Sequence, residues 1–174
     1  MTDWTHWQPT MRATLLFVVR GGQVLLIRKK RGLGAGKING PGGRVDEGET
    51  YAQCAVREVQ EELGITVCDP QPRGELHFQF ADGLALYCVV FTGTEFTGTP
   101  IETDEAIPRW TPLDAIPYEE MWADDRHWLG RTLAGESFRA WFDFRGETME
   151  THRVEWLEKG QAPRVDEPAP PAGA

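Results

Sequence analysis

Apolar and polar positions along the chain change period several times, and each change marks an element. Residues 12–20 and 23–28 are two runs rich in β-branched and aliphatic side chains, separated by Gly21-Gly22. A glycine pair between such runs predicts a hairpin. A glycine-rich basic loop follows over 29–40, and Pro41-Gly42-Gly43 opens a short strand or turn. From 50 to 63 the period becomes helical: Ala52, Ala55, Val56, Val59 and Leu63 share one face. Thr50 and Gln53 fit a capping box at its start, and Gly64 fits its stop. Two strands are predicted over 74–80 and 84–91, around Ala81-Asp82-Gly83, with another over 105–110. Residues 113–117 read as a turn or short helix, and 125–133 as a helix. A last hairpin, 137–144 with 148–156, turns at Gly146. No internal repeat is present. The Pro/Ala/Gly-rich tail, 161–174, is expected to be disordered, leaving one domain over 1–160.

Composition narrows the class. With 174 residues, 40% hydrophobic and 26% charged, the chain suits one soluble globular domain. The net charge of −9 comes with no basic stripe, so stable nucleic-acid binding is not expected. An acidic protein can still hold a polyphosphate through a divalent cation. Cys54, Cys68 and Cys88 lack metal or disulfide spacing and read as free thiols of a reducing compartment. Residues 1–10 do not resemble a signal peptide, and no apolar run is long enough to span a membrane. A cytoplasmic, monomeric protein is expected. Seven Trp is a high count, and aromatic faces can fill a core or stack on a base.

The chemistry is concentrated in Gly42–Ile65, GGRVDEGETYAQCAVREVQEELGI. Glu58, Glu61 and Glu62 are spaced i, i+3 and i+4 on a helix, so three carboxylates share one face, read as lying opposite the apolar stripe. They repel one another unless a cation joins them. Oxygen donors of this kind suit Mg²⁺, which keeps waters and takes further ligands from phosphates. Arg57 can hold Glu49 in a bidentate fork. Gly43 and Gly48 are read as permitting tight turns. The segment resembles the Nudix box, G-x5-E-x7-R-E-U-x-E-E-x-G-U with U aliphatic. Gly43, Glu49, Arg57, Glu58, Val59, Glu61, Glu62, Gly64 and Ile65 fill every defined position. The resemblance implies an α/β fold, a mixed sheet sandwiched between helices with the box as loop-helix-loop. It also implies hydrolysis of a nucleoside diphosphate linked to a further group, with Mg²⁺ as cofactor and Mn²⁺ as its substitute. Gly43, Glu58, Glu61, Glu62 and Glu105 are the implied metal-site residues. Glu105, in the acidic stretch 102–105, is a further ligand, a base, or simply an exposed charge.

The likeness extends beyond the box. KKRGLGAGKINGPGGRVDEGET, GTPIETDEAIPRW, EEMWADDRHW and the final hairpin resemble, in the same order, the animal oxidised-purine nucleoside triphosphatases. This implies cleavage of 8-oxo-dGTP or a similar nucleotide to monophosphate and pyrophosphate, in nucleotide-pool sanitation. Asn39, Trp122, Asp124 and Asp125 match that family's base-reading positions, with Gly42 and Gly43 beside them. An amide can donate and accept, an indole can stack, and two adjacent carboxylates can share a proton. Taken alone, Asp124-Asp125 would read as a helix cap and Asn39-Gly40 as a turn. Lys29 and Lys30 either approach the phosphates or solvate the loop. The chain departs from the family pattern at Leu33, Ile38 and Pro41, where aromatic residues are usual around the base. Rival readings are a Nudix hydrolase for another nucleotide derivative, such as unmodified or methylated nucleotides, ADP-ribose or capped RNA, and a non-catalytic nucleotide sensor.

Overall fold

The computed structural model describes residues 1–167. β1 (Met11–Arg20) and β2 (Gln23–Lys29) form the opening hairpin. Gly21 and Gly22 have φ of 58° and 75°, the left-handed pair that a two-residue turn of this type requires. β3 (Ile38–Asn39) and β4 (Gly42–Arg44) lead into α1 (Tyr51–Leu63). β5 (Thr66–Cys68), β6 (Gln71–Phe80), β7 (Ala85–Gly93), β8 (Glu95–Thr97) and β9 (Ala106–Pro112) follow. A short 3-10 turn, Tyr118–Glu120, precedes α2 (Asp125–Leu133). β10 (Phe138–Arg145) and β11 (Thr148–Trp156) complete the chain order.

The main sheet runs β11-β10-β6-β7-β1-β2-β3, with β4 added to β1 and β9 to β2. It is mixed: β1 lies parallel to β7, and β6 parallel to β10. β1 forks along its length. Ala13, Thr14 and Leu15 pair with β4, while Val19 and Arg20 pair with β2. At that fork a Cβ on Gly42 would lie 1.9 Å from the Thr14 carbonyl oxygen, so only glycine lets the strands approach.

Both faces of the sheet are covered. On one, α1 packs Ala55, Val59 and Leu63 against Leu16 and Val18 of β1 and Val89 and Phe91 of β7. On the other, Trp128 and Leu129 of α2 meet Phe17, Phe138 and Phe142. β1 is therefore buried on both sides, which is why its sequence is a continuous apolar run. The result is the expected α/β sandwich.

The caps of α1 are as read. Thr50 Oγ1 accepts from the Gln53 amide at 3.1 Å, the Gln53 side chain accepts from the Thr50 amide at 2.9 Å, and Gly64 is left-handed at φ 74°. The sequence missed β3, β5 and β8, which are two or three residues long and carry no period to detect. β6 begins at Gln71, three residues before its predicted start, because the irregularity between Pro72 and Gly74 tolerates the proline. Residues 161–167 of the tail expected to be disordered lie against the domain. The Asp166 amide donates to Tyr87 Oη at 3.2 Å, and Val165 packs on the α1-side core. The rest of that tail, 168–174, lies outside the described residues. Among the described residues no helix is long and apolar enough to cross a membrane.

Candidate active site

α1 presents its carboxylates toward β4 and the loop before β9. Arg57 makes the fork read from the sequence, donating from Nε to Glu49 at 2.7 Å and from its η nitrogen at 2.9 Å. It also reaches Glu58 at 2.9 Å and Glu61 at 3.2 Å. Glu62 is buried, and its Oε1 accepts from the Gly42 amide at 3.3 Å. Burial raises its pKa to about 8; the Gly42 amide opposes the shift, and the charges of Glu58 and Glu105 add to it. Burial likewise raises Glu58. Glu58, Glu62 and Glu105 each bring a carboxylate oxygen within 4.8 Å of the others.

Two expectations need correction. Glu58 and Glu62 do not lie on a solvent face opposite the apolar stripe; they face inward, and of the three only Glu61 is exposed. Glu61 also stands apart from the cluster, held by Arg57. Gly43 is needed for space rather than for a turn, since a Cβ there would sit 2.4 Å from the Glu58 carboxyl carbon; Gly48, at φ 79°, is the turn glycine. Glu105 is placed by Thr103, whose hydroxyl donates to the Glu62 carbonyl at 2.7 Å and accepts from the Glu105 amide at 3.2 Å. Arg31 donates to the Glu105 carboxylate at 2.9 Å.

A cavity of about 360 Å³ adjoins the carboxylates, and Glu62 lines it. Lys29, Asn39, Gly42, Gly43, Trp122, Asp124 and Asp125 line it as well. Asp124 occupies the N-cap position of α2 but makes no side-chain capping bond; its carboxylate instead accepts from Trp128 Nε1 at 2.9 Å. Asp124 and Asp125 are both buried, and burial raises both pKa values, that of Asp124 to about 6 and that of Asp125 well above its ordinary range, where the Asp124 charge adds to the effect. The Asn39 Nδ2 is buried without a partner among the described residues. Trp122 stands edge-on to Phe80 and Phe144, at 6.1 and 5.6 Å between ring centroids. Lys29 donates to the Leu33 carbonyl at 2.8 Å, while Lys30 turns away to Glu102 and the Thr103 carbonyl, both at 2.7 Å. Of the three departures from the resembled pattern, only Leu33 lines the cavity; Ile38 and Pro41 are buried outside it.

The comparisons with known proteins agree with this geometry. The model of the NUDIX domain matches residues 9–131. The chain belongs to the Nudix family. As a Nudix pyrophosphohydrolase it acts on a nucleotide substrate with a divalent metal ion. It is 42% identical over 147 residues to a zebrafish (Danio rerio) protein named oxidized purine nucleoside triphosphate hydrolase, covering 83% of this chain and 94% of that one. The mouse (Mus musculus) protein of the same name is 40% identical over 135 residues, covering 77% and 86%. Among solved structures, a mutator MutT protein from Bacillus halodurans superposes with a TM-score of 0.74 at 27% identity, covering 83% of this chain and 97% of that one.

The Nudix box thus supplies a metal-competent cluster by fold as well as by motif. Glu58 and Glu62 are carboxylates whose burial disfavours their charge, and a divalent cation is the partner that favours it. The sequence reading missed the apolar walls of the cavity: Leu76, Phe78 and Phe80 of β6, Leu86 of β7, and Phe144 of β10. On β6 these alternate with Glu75, His77 and Gln79, so the period-2 signal was present. What it lacked was any indication that this face borders a cavity rather than a filled core.

Proposed function

We propose that this protein hydrolyses oxidised purine nucleoside triphosphates, 8-oxo-dGTP foremost, to the monophosphate and pyrophosphate, and so clears damaged precursors from the nucleotide pool. One observation carries the reading: Glu62 belongs both to the carboxylate cluster and to the wall of the cavity that holds Asn39, Asp124 and Asp125. A base in that cavity would extend its phosphates toward the cluster. The names of the zebrafish and mouse relatives agree with it.

Mg²⁺, with Mn²⁺ as its substitute, would be held by Glu58, Glu62 and Glu105, with Gly43 and Glu61 beside them. When bound, it neutralises charge on the phosphates and lowers the pKa of an attacking water. Arg57 fixes Glu49 and Glu58; its hydrogen bonds hold Glu49 below the usual carboxylate range and oppose, without cancelling, the upward shift that burial gives Glu58. Lys29 contributes positive charge beside Glu62, toward the phosphates. In the cavity, Trp122 offers its ring and Asn39 an amide that both donates and accepts. The raised pKa values of Asp124 and Asp125 leave the pair able to retain a proton near neutrality, so it can accept from purine N–H groups and donate to a ring nitrogen or carbonyl.

The test is product analysis with Mg²⁺ across 8-oxo-dGTP, 2-hydroxy-dATP, ADP-ribose and a capped RNA. Monophosphate and pyrophosphate from the oxidised purines, at the highest kcat/KM of the panel, are the expected result. Preference for ADP-ribose or capped RNA would overturn the substrate assignment, and no turnover on any of them would make the protein a sensor.

A further inference from the structure

The opposite face of the sheet carries a second cleft, of roughly 840 Å³. On β6 it uses Glu75 and His77, the residues that alternate with the walls of the catalytic cavity, so the sheet separates the two. The N-terminal segment 2–9 closes one side, anchored where Trp7 Nε1 donates to Gln79 at 2.8 Å, and residues 164–166 close another. Nothing in the catalytic reading uses this cleft.

Its walls are aromatic, and two of its guanidiniums lack a close carboxylate partner within it. Trp4 and Trp7 lie 5.5 Å apart, half-buried, and Trp141 stacks on His77 at 5.3 Å. Each carboxylate in the cleft already faces a donor. Asp3 accepts from the Thr5 amide at 3.0 Å and lies 3.1 Å from His6, Asp166 pairs with Arg12 at 3.4 Å, and Glu75 accepts from Tyr87 Oη at 2.6 Å. Glu75 is 2% exposed, and its other oxygen, 3.2 Å from Arg139 Nε, has no hydrogen bond. The cations are less well matched. Arg153 lies over Trp141 at 4.1 Å, and its nearest carboxylate, Glu155, is 3.8 Å away on the same strand. Arg164 has no ion pair among the described residues. Three carboxylates, Asp3, Glu75 and Asp166, face three guanidiniums, Arg139, Arg153 and Arg164, so in a chain of net charge −9 the cleft is locally balanced, with Arg153 and Arg164 the guanidiniums left free of close pairing within it. Flat faces beside guanidinium forks suit a ligand with a ring at one end and an anion at the other, and the volume suits a small molecule.

We propose that this cleft binds a nucleoside monophosphate, with its base against the Trp4–Trp7 pair and its phosphate on Arg153 and Arg164, as a site separate from the catalytic cavity. The site stands whichever nucleotide the catalytic cavity cleaves.

The experiment is calorimetric titration of the full chain with GMP in chelator, repeated on Arg153→Glu and Trp7→Ala, with hydrolysis assayed in parallel. Arg153 is exposed, so its reversal leaves the fold intact and carries the test even if Trp7→Ala fails to fold. Arg153→Glu is expected to weaken one GMP-binding event by at least about tenfold while kcat/KM for hydrolysis stays within about twofold. Binding that survives belongs to the catalytic cavity. An isotherm indifferent to Arg153→Glu would overturn the proposal. So would ribose 5-phosphate binding as tightly as GMP, which would leave the rings no role, or a short single-stranded oligonucleotide binding the same site more tightly than GMP.

Discussion

Glu62 shows how one residue can be costly to the fold and necessary to the site. It is buried, it accepts a single amide, and its pKa is raised to about 8. A raised carboxyl pKa contributes stability that is complete below the unfolded value of 4.5 and is lost as pH rises through about 8. Metal-free protein is therefore expected to lose stability between those pH values relative to Glu62→Gln, by on the order of 3 kcal/mol in urea unfolding. The same variant should lose at least about a thousandfold in turnover. Equal pH profiles for the two proteins would show that Glu62 is not desolvated as described. Gly43→Ala tests the neighbouring contact. Its Cβ would fall 2.4 Å from the Glu58 carboxyl, so kcat should drop by about tenfold or more with little change in Tm. Retained kcat would mean that Glu58 can move aside without consequence. At this scale the sequence was informative about which residues matter and weak on their surroundings. The i, i+3, i+4 spacing identified Glu58, Glu61 and Glu62, yet it could not reveal that Glu62 turns inward while Glu61 is drawn to Arg57.

At the scale of elements, α1 was legible from end to end because its signals are local. The capping box, the apolar stripe and the left-handed Gly64 all act within one or two turns. Replacing Thr50 with Ala should cost about 1 kcal/mol, and Gly64 with Ala a similar amount. Both are measured by urea unfolding, and no change in midpoint would mean the caps do not bound the helix. α2 was also legible in extent, but the Asp pair at its start was ambiguous. Asp124 accepts from Trp128 one turn along α2, and only the tertiary placement of both beside β1, β6 and β7 shows that Asp124 lines a pocket. The short strands β5 and β8 stayed hidden for the same reason, since their pairing is set by partners far apart in sequence.

For the whole molecule, the sandwich places two different chemistries on the two faces of one sheet. Alternation along β6 sends Leu76, Phe78 and Phe80 toward the catalytic cavity and Glu75 and His77 toward the second cleft. The fold class was readable from the order of elements, while the meeting of Glu62 with Asn39, Asp124 and Asp125 depends on the fork in β1 that lets β4 cross at Gly42. Of the three positions where aromatic residues are usual, Leu33 lines the cavity and Ile38 and Pro41 do not. The most direct measurement is the ratio of kcat/KM for 8-oxo-dGTP over dGTP, in the native protein and in Asp125→Asn. The native ratio should exceed unity by about tenfold or more, and the variant should lose most of it while still releasing pyrophosphate. A native ratio near one, or a ratio untouched by Asp125→Asn, would contradict the assignment of this cavity to oxidised purines.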